Sequence, residues 1–434
     1  MIFQSLNTLR NLIRTQYLPR CEIERLQSER LREVVKHAYD NVKYYRNLFD
    51  RAGITPEGIE TAADLFKIPI TKKEDLQKTA PQDLLSDGLR AEDCIVKCTS
   101  GSTGTPMRFF FSEKERDFQT LLNLRIFYAG GFRLTDRTAY LINPHRFPKG
   151  KYWFQNLGIL RRYYLSVFDT AEVHANVLRR INPDVIYGYP SNLILLALMI
   201  KERGIDNIRP KAVFSSAEAL EQKPRALIAS AMNTKVYDIL GLVETGDIAW
   251  ECPAQEGYHI NSDAVLMEFL DEEDKPVKAG EPGRLVCTSL YAYTMPLIRY
   301  EAGDICVPSD KVCSCGRTLP MMESMKGRAN DFIVLPDESI IASCFLVIIM
   351  QAFHDVAQYR VIQENREGII VQLVKGNGFN SQTVNKIKED IEKVTQNKLK
   401  VDIALFNVLP RDASGKIRTV ISEIKHDYLS LIKG

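Results

Sequence analysis

The sequence predicts an α/β fold in two parts: a large N-terminal domain of mixed and parallel sheets with helices, and a small C-terminal α+β domain. Three observations predict it. The chain has 434 residues, more than one ordinary core organises. Between 136 and 290, strand-like pieces alternate with helical ones, the pattern of a parallel sheet joined by crossover helices. From about 328 onward, strand pairs and single helices fill roughly 100 residues, an ordinary domain size. The expected domains are therefore 1–327 and 328–434.

Taken in order, the opening "MIFQSLNTLRNLIRTQYLPR" has neither a continuous apolar run nor a small-residue cleavage site, so it does not read as a signal peptide. It reads as a packing helix, with an amphipathic helix on a membrane surface as the alternative. Residues 23–50 read as helix, because Ile23, Leu26, Leu31, Val34 and Val35 recur at helical spacing without a proline. The segment "RAGITPEGIETAADLFKIPITKKEDLQ" is broken into short helices and turns. A helix is expected over 113–130. Strands "TAYLIN", "DVIYGY", "KAVFSS" and "KVYDIL" then alternate with helices "TAEVHANVLRRI", "NLILLALMIKERG" and "KPRALIASAMN". Residues 263–310 shift to strands and turns. Beyond 328, "GRANDFIVLPDESIIA" reads as a strand pair and a helix follows it. "YRVIQENREGIIVQLV" reads as a second pair, "NSQTVNKIKEDIEKVTQ" as a helix and "KVDIALF" as a final strand.

The totals exclude some partners. Net charge is +2 and no basic patch is interleaved with aromatics, so no nucleic acid partner is expected. The apolar runs "LILLALMI" and "FLVIIM" are far too short for a membrane span. Nine cysteines, an odd and scattered set, fit a reducing, cytoplasmic setting better than a disulfide framework.

Three stretches carry chemistry. In "CTSGSTGTPMRFFFS" (98–112), Thr99, Ser100, Gly101, Ser102, Thr103 and Gly104 are consecutive small residues. Their N–H groups and hydroxyls suit a phosphate, although no Walker lysine is present; a surface turn is the bland alternative. Cys252, His259, Cys313 and Cys315 follow a C-x6-H, C-x-C pattern. Three thiolates and an imidazole make a closed, structural Zn2+ set; the alternative is neighbouring thiols beside a buried histidine. In "IYGYPSNL", Tyr187, Gly188, Tyr189 and Pro190 sit at a strand end, either lining a ligand pocket or forming a turn with Ser191 as helix N-cap.

"TSGSTGTP" resembles the phosphate loop of the adenylate-forming superfamily of acyl-CoA synthetases, adenylation domains and luciferases. Its other motifs follow in order: "SSAEAL" (215–220), "LGLVETGDIAWEC" (240–252), "MPLIRYEAGD" (295–304), "GRANDF" (327–332) and "LPRDASGKIRT" (409–419). "LREVVKHAYDNVKYYRNLF", "IPITKKEDL", "AWECPAQEGYHI" and "CSCGR" resemble the phenylacetate–CoA ligase-like branch, with its coenzyme F390 synthetase-like and capsular-polysaccharide members.

The resemblance implies an ATP-dependent carboxylate ligase with a mobile C-terminal domain. It makes residues 99–104 the holders of the β- and γ-phosphates. Ser216, Ala217, Glu218, Gly241 and Thr245 become nucleotide contacts, Glu244 a Mg2+ ligand and catalytic residue, and Asp304 the ribose acceptor. Arg328 becomes a nucleotide contact before the hinge at Asn330, and Lys416 the lysine that bridges carboxylate and α-phosphate. A small carboxylic acid is then the substrate, and CoA the expected acceptor. An amine acceptor, as in surface polysaccharide assembly, is the alternative, and a non-catalytic nucleotide- or acyl-binding relative is the second. Leu240 and Val243 depart from the family's aromatic and hydroxyl residues, with Tyr237 and Thr245 as substitutes. Read alone, Glu244 would serve equally as an acid at a helix N-terminus.

Overall fold

The computed structural model describes residues 2–98, 107–148, 150, 152–218, 220, 222–328, 332–337, 340–342, 346, 349–350, 352–353, 355–410 and 419–424. The chain forms two compact units, Met1–Ala302 with Cys306–Met325, and Gly303–Ile305 with Lys326–Gly434.

The large unit opens with α1 (Ile2–Thr15), α2 (Arg20–Asn41) and α3 (Lys43–Ala52). The helix expected over 23–50 is thus two helices. Val42 between them is extended (φ −124°, ψ 110°). The Asn41 amide donates to the His37 carbonyl at 3.0 Å, a side-chain bond that competes with helix continuation. The face of α2 is the one its periodicity gives, with Ile23, Leu31, Val34 and Val35 buried. The opening helix α1 packs: Leu12 is buried, and Thr15 Oγ1 donates to Asp263 Oδ2 at 2.6 Å.

Two short helices, α4 (Lys73–Lys78) and α5 (Pro81–Leu84), lead to an antiparallel hairpin of β1 (Ile95–Cys98) and β2 (Arg108–Phe111). Cys98 lies opposite Arg108, so the hairpin brings the two flanks of the small-residue run together. Helix α6 (Glu113–Ala129) then starts at a capping box. Ser112 Oγ accepts the Glu115 N–H, and the Glu115 carboxylate accepts the Ser112 N–H at 2.6 Å. Helix α6 is seated by fully buried Arg125, which grips Asp263 with two bonds of 2.6 and 2.9 Å.

The main sheet begins with β3 (Arg137–Ile142), β4 (Arg161–Ser166), β5 (Val185–Gly188), β6 (Ala212–Ser216) and β7 (Lys235–Leu242), all parallel, in the order β4-β3-β5-β6-β7. Helices α7 (Ala171–Ile181), α8 (Pro190–Glu202) and α9 (Gln222–Met232) belong to the crossovers. Ile186, Leu193, Leu196 and Val213 share the core beneath them, while Phe127 of α6 packs the other face with Phe214 and Trp250. The alternation in the sequence predicts this layered arrangement. Strand β4 was not foreseen: it is the sheet's edge, only Leu165 is buried, and its arginines and tyrosines give no apolar pattern.

Strands β8 (Gly246–Glu251), β9 (Tyr258–Ile260), β10 (Val265–Leu270), β11 (Gly283–Ser289), β12 (Tyr300–Ser309) and β13 (Met321–Arg328) extend the sheet to eleven strands.

In the small unit, β14 (Phe332–Val334) and β15 (Ile340–Ala342) pair antiparallel. Strands β16 (Val356–Gln363), β17 (Gly368–Lys375), β18 (Lys400–Phe406) and β19 (Val420–Ser422) form a second sheet in the order β18-β17-β16-β19. Helix α10 (Ser381–Val394) shares a core with it through Ile387 and Ile391. The three-residue strand β19 lies beyond the last strand the sequence predicts; Val420 pairs Val361 in parallel register. Among the described residues, no helix is long and apolar enough to cross a membrane.

Candidate active site

Strands β3, β5, β6 and β7 end at one edge of the parallel sheet, where ligands of such sheets bind. Several predicted residues gather there. Glu244 and Thr245 sit at the tip of the β7–β8 hairpin, both buried. The alternative of Glu244 at a helix N-terminus is therefore corrected: the three-residue loop 243–245 closes a hairpin. Gly246 follows it at φ +70°, a conformation glycine adopts without strain. Thr245 Oγ1 is buried without a hydrogen-bond partner among the described residues. Its carbonyl accepts from the Tyr291 hydroxyl at 2.9 Å. That hydroxyl accepts in turn from Gln119 Nε2 of α6, also at 2.9 Å.

One strand over, Ser216 Oγ donates to the Ile239 carbonyl at 2.9 Å. Ala217 follows at φ +77°, a strained conformation for a residue with a Cβ. The Glu218 carboxylate accepts from Ser191 N–H at 2.8 Å and Ser191 Oγ at 3.1 Å. Ser191 is consequently not the N-cap of α8. Tyr189 holds that place, Pro190 takes the first helical position, and Glu218 reaches across to the helix N-terminus, where a negative charge is favourable.

Tyrosines cluster at these strand ends. The Tyr140 ring stacks on Tyr164 at 5.4 Å and meets Tyr187 at 5.6 Å. Tyr187 keeps part of its surface open, while Tyr189 is fully buried. Tyr237 does not replace the missing aromatic near Leu240. It packs against Phe214 at 5.4 Å inside the core that also holds Trp250.

Two functional residues here do not emerge from the sequence alone. Asp247 Oδ2 accepts from Asn123 Nδ2 at 2.9 Å, and burial pushes the Asp247 carboxyl above its ordinary value. Lys97, two residues before Thr99, donates to Gln119 Oε1 and lies 4.9 Å over the Phe111 ring. Burial pulls its ammonium down to about 8. Asp247 lies within "LGLVETGDIAWEC", and Lys97 directly precedes the stretch that starts at Cys98. The signal available was a charged residue at each edge of a small-residue turn.

Thr99, Ser100, Gly101, Ser102, Thr103, Gly104, Asn330 and Lys416 lie outside the described residues, and Arg328 is described only as backbone in β13. Asp304 is buried in β12 behind Gly303.

The predicted metal ligands do converge. The donor atoms of Cys252, His259, Cys313 and Cys315 lie within 4.8 Å of one another. Cys252 Sγ is 3.5 Å from Cys313 Sγ, and His259 Nε2 is 3.3 Å from Cys315 Sγ. A tetrahedral zinc ion spaces such atoms about 3.5–3.8 Å apart. Cys252 follows β8, His259 sits on β9, and the two other cysteines lie just ahead of β13, whose Met321 pairs with His259. Burial drives His259 down to about 4, leaving the neutral imidazole a metal needs. It also pushes the Cys313 thiol up to about 12, a cost that a bound cation reverses. Next to them, Arg317 lies 5.3 Å over Trp250 and donates to Gln16 Oε1 at 2.8 Å, tying the loop to the end of α1. The described cysteines are all free thiols.

Residues 333–423 match the CapK C-terminal domain. The chain is 30% identical over 323 residues to a phenylacetate–coenzyme A ligase of Aromatoleum evansii, covering 72% of each protein. It is 28% identical over 360 residues to that of Thermus thermophilus, covering 81% of this chain and 80% of the relative. Protein CapK of Staphylococcus aureus is 23% identical over 413 residues, covering 92% and 89%. Among solved structures, a 2-hydroxyisobutyryl-CoA ligase bound to 2-HIB-AMP has the same fold, with a TM-score of 0.78 over 94% of this chain and 91% of that one, at 19% identity.

Proposed function

Because the chain belongs to the phenylacetate–coenzyme A ligase family of AMP-forming ligases, we propose that it activates a small carboxylic acid as an acyl-adenylate and passes the acyl group to the thiol of CoA. One carboxylate oxygen attacks the α-phosphorus of ATP, the bond to the β-phosphate breaks, and pyrophosphate leaves with the electron pair. The thiolate sulfur then attacks the acyl carbon and AMP departs. All the reacting groups are anionic, so the protein's work is alignment and charge neutralisation.

The observation that supports this reading most is the β7–β8 tip. A buried carboxylate, Glu244, stands beside a buried hydroxyl, Thr245, that lacks a partner, at the edge where the parallel strands end. A free buried donor costs stability unless a ligand completes it. Thr245 would take over the α-phosphate contact that Val243 cannot make. Glu244 would hold Mg2+, which favours oxygen ligands and neutralises phosphate charge. Residues 99–104 would hold the leaving phosphates, and Ser216, Ala217 and Gly241 would flank the base. Glu218, tied to α8, would fix that strand exit. Asp304 would accept from the ribose hydroxyls, and Arg328 would contact the nucleotide. Lys416, from the domain 328–434, would bridge carboxylate and α-phosphate and withdraw before thiol attack. Cys252, His259, Cys313 and Cys315 would hold a structural zinc. A cytoplasmic location fits the free thiols and the ATP requirement.

A second reading is transfer to an amine instead of a thiol, with the C-terminal domain presenting the acceptor in either case.

The test is Lys416→Ala in two assays. ATP–pyrophosphate exchange should fall by orders of magnitude, while transfer from pre-made acyl-adenylate survives. Exchange at the wild-type rate would remove Lys416 from its role. Wild-type protein that exchanges with no acid would instead be a binding relative. Adding CoA or an amine to the adenylate separates the two acceptors.

A further inference from the structure

Adenylation leaves Asp247 without a task. Its Oδ2 is taken by Asn123, and its Oδ1 has no hydrogen-bond partner among the described residues. That oxygen lies against the Gly241 α-carbon, so close that a Cβ there would meet it at 2.8 Å. Gly241 is the residue type that lets the carboxylate enter. Asp247 lies deep in the fold yet keeps part of its surface open, as do Tyr140 and Tyr187. The groups in electrostatic reach of Asp247 are the hydroxyls of Tyr140, Tyr187 and Tyr291 and the cations Lys97 and Arg146. Neither cation forms an ion pair with it. A carboxylate oxygen left unmet among aromatic side chains is costly unless a donor arrives to meet it.

We propose that Asp247 selects the acid: it accepts a hydrogen bond from an amine or hydroxyl that the substrate carries away from its reacting carboxylate, with the substrate body against the Tyr140 and Tyr187 rings. The inference rests on the acyl-adenylating reading above. An ammonium gains charge attraction and the ring faces as well; a hydroxyl gains the hydrogen bond alone. A purely hydrocarbon acid leaves Oδ1 unmet.

The experiment is ATP–pyrophosphate exchange by the full chain with matched acids, such as phenylacetate, 4-hydroxyphenylacetate and 4-(aminomethyl)phenylacetate, together with aliphatic acids and their amino and hydroxy counterparts. The donor-bearing member of the productive set should lead its hydrocarbon match by roughly 100-fold in kcat/KM, the scale of one hydrogen bond to a charged group. In Asp247→Ala that ratio should collapse to a few-fold. Asp247→Asn, isosteric and still an acceptor, separates the sources: preference for a hydroxyl survives, and preference for an amine is lost. Thermal unfolding of both variants checks that they fold. Equal exchange with hydrocarbon and donor-bearing acids overturns the proposal and leaves adenylation standing. A ratio unchanged in Asp247→Ala overturns it as well. Exchange with no acid of any kind overturns the adenylating reading, and this inference with it.

Discussion

Two polar clusters are buried in the large unit, and they differ in how they end. At Cys252, His259, Cys313 and Cys315, four donor atoms converge on one point, all within 4.8 Å of one another. At the strand ends, among the described residues, Asp247 meets Asn123 with one oxygen and nothing with the other, and the Thr245 hydroxyl is unmet. Buried polar groups are nearly always satisfied, so unmet ones point to an absent ligand. A closed donor set reads as a staple, and an open one as a place for chemistry. The first should therefore govern folding, and the second turnover.

The largest expected effect would break that division at the open end. Glu244→Gln keeps the side chain's shape and removes its charge from the β7–β8 tip. ATP–pyrophosphate exchange should fall by about 1,000-fold, the scale of losing one preorganised electrostatic partner, while the unfolding midpoint stays near wild type. A large drop in stability with little change in exchange would put Glu244 on the structural side.

The closed cluster should respond in reverse. Protein purified without added metal should carry about one zinc per chain by elemental analysis, and Cys313→Ser should lose it, at a cost of roughly 3–5 kcal/mol in unfolding. Residual folded protein should still exchange pyrophosphate. Metal-free protein as stable as wild type would reduce the cluster to neighbouring thiols.

The same contrast explains what the sequence made legible. The parallel sheet was readable because "KAVFSS" and "KVYDIL" are buried on both faces and flanked by helical periodicity. The edge strand "RRYYLS" was not, because partial burial erases the pattern. Cys252, His259, Cys313 and Cys315 announced themselves because few residue types bind zinc. Their convergence, however, depends on β9 and β13 pairing at His259 and Met321, which spacing alone does not give. Asp247 stayed hidden because an aspartate after glycine looks like a turn. Only the third dimension places it beside Tyr187 of a strand 60 residues earlier, the distance from 187 to 247. Ser191 misled for the opposite reason: a serine after proline resembles a cap, and the actual partner, Glu218, comes from the next strand's exit.

On the same strands β7 and β8 stands a third buried polar group, whose stability depends on pH. Asp238 accepts from the Tyr258 hydroxyl at 2.7 Å, and its own N–H donates to Glu251 at 2.8 Å. Arg225 grips Glu251 at 2.6 and 3.0 Å. Burial, then the nearby Glu251 charge, pushes the Asp238 carboxyl to about 7. A carboxyl raised on folding binds its proton more tightly in the folded state. Its contribution is thus complete below about pH 4 and is lost as pH rises through about 7. Asp238→Asn should remove that loss. Denaturant unfolding should show the variant gaining about 2 kcal/mol over wild type between about pH 4.5 and about pH 8, against a ceiling of about 4 for the full shift. A pH-independent difference would mean that Arg225 holds Asp238 ionised throughout.

The smallest effect probes strain, which belongs with the open cluster. Ala217 keeps φ +77° at the exit of β6, a conformation that costs an alanine about 1 kcal/mol and a glycine almost nothing. Ala217→Gly relieves that strain but frees the unfolded chain, so the net gain in stability should be about 0.5 kcal/mol. Such a gain, joined to a rise in KM for ATP, would show a backbone held in an unfavourable shape for the nucleotide's sake. A loss of stability instead would mean that the exit of β6 is not held at positive φ, and that this edge of the site is no more strained than the metal cluster.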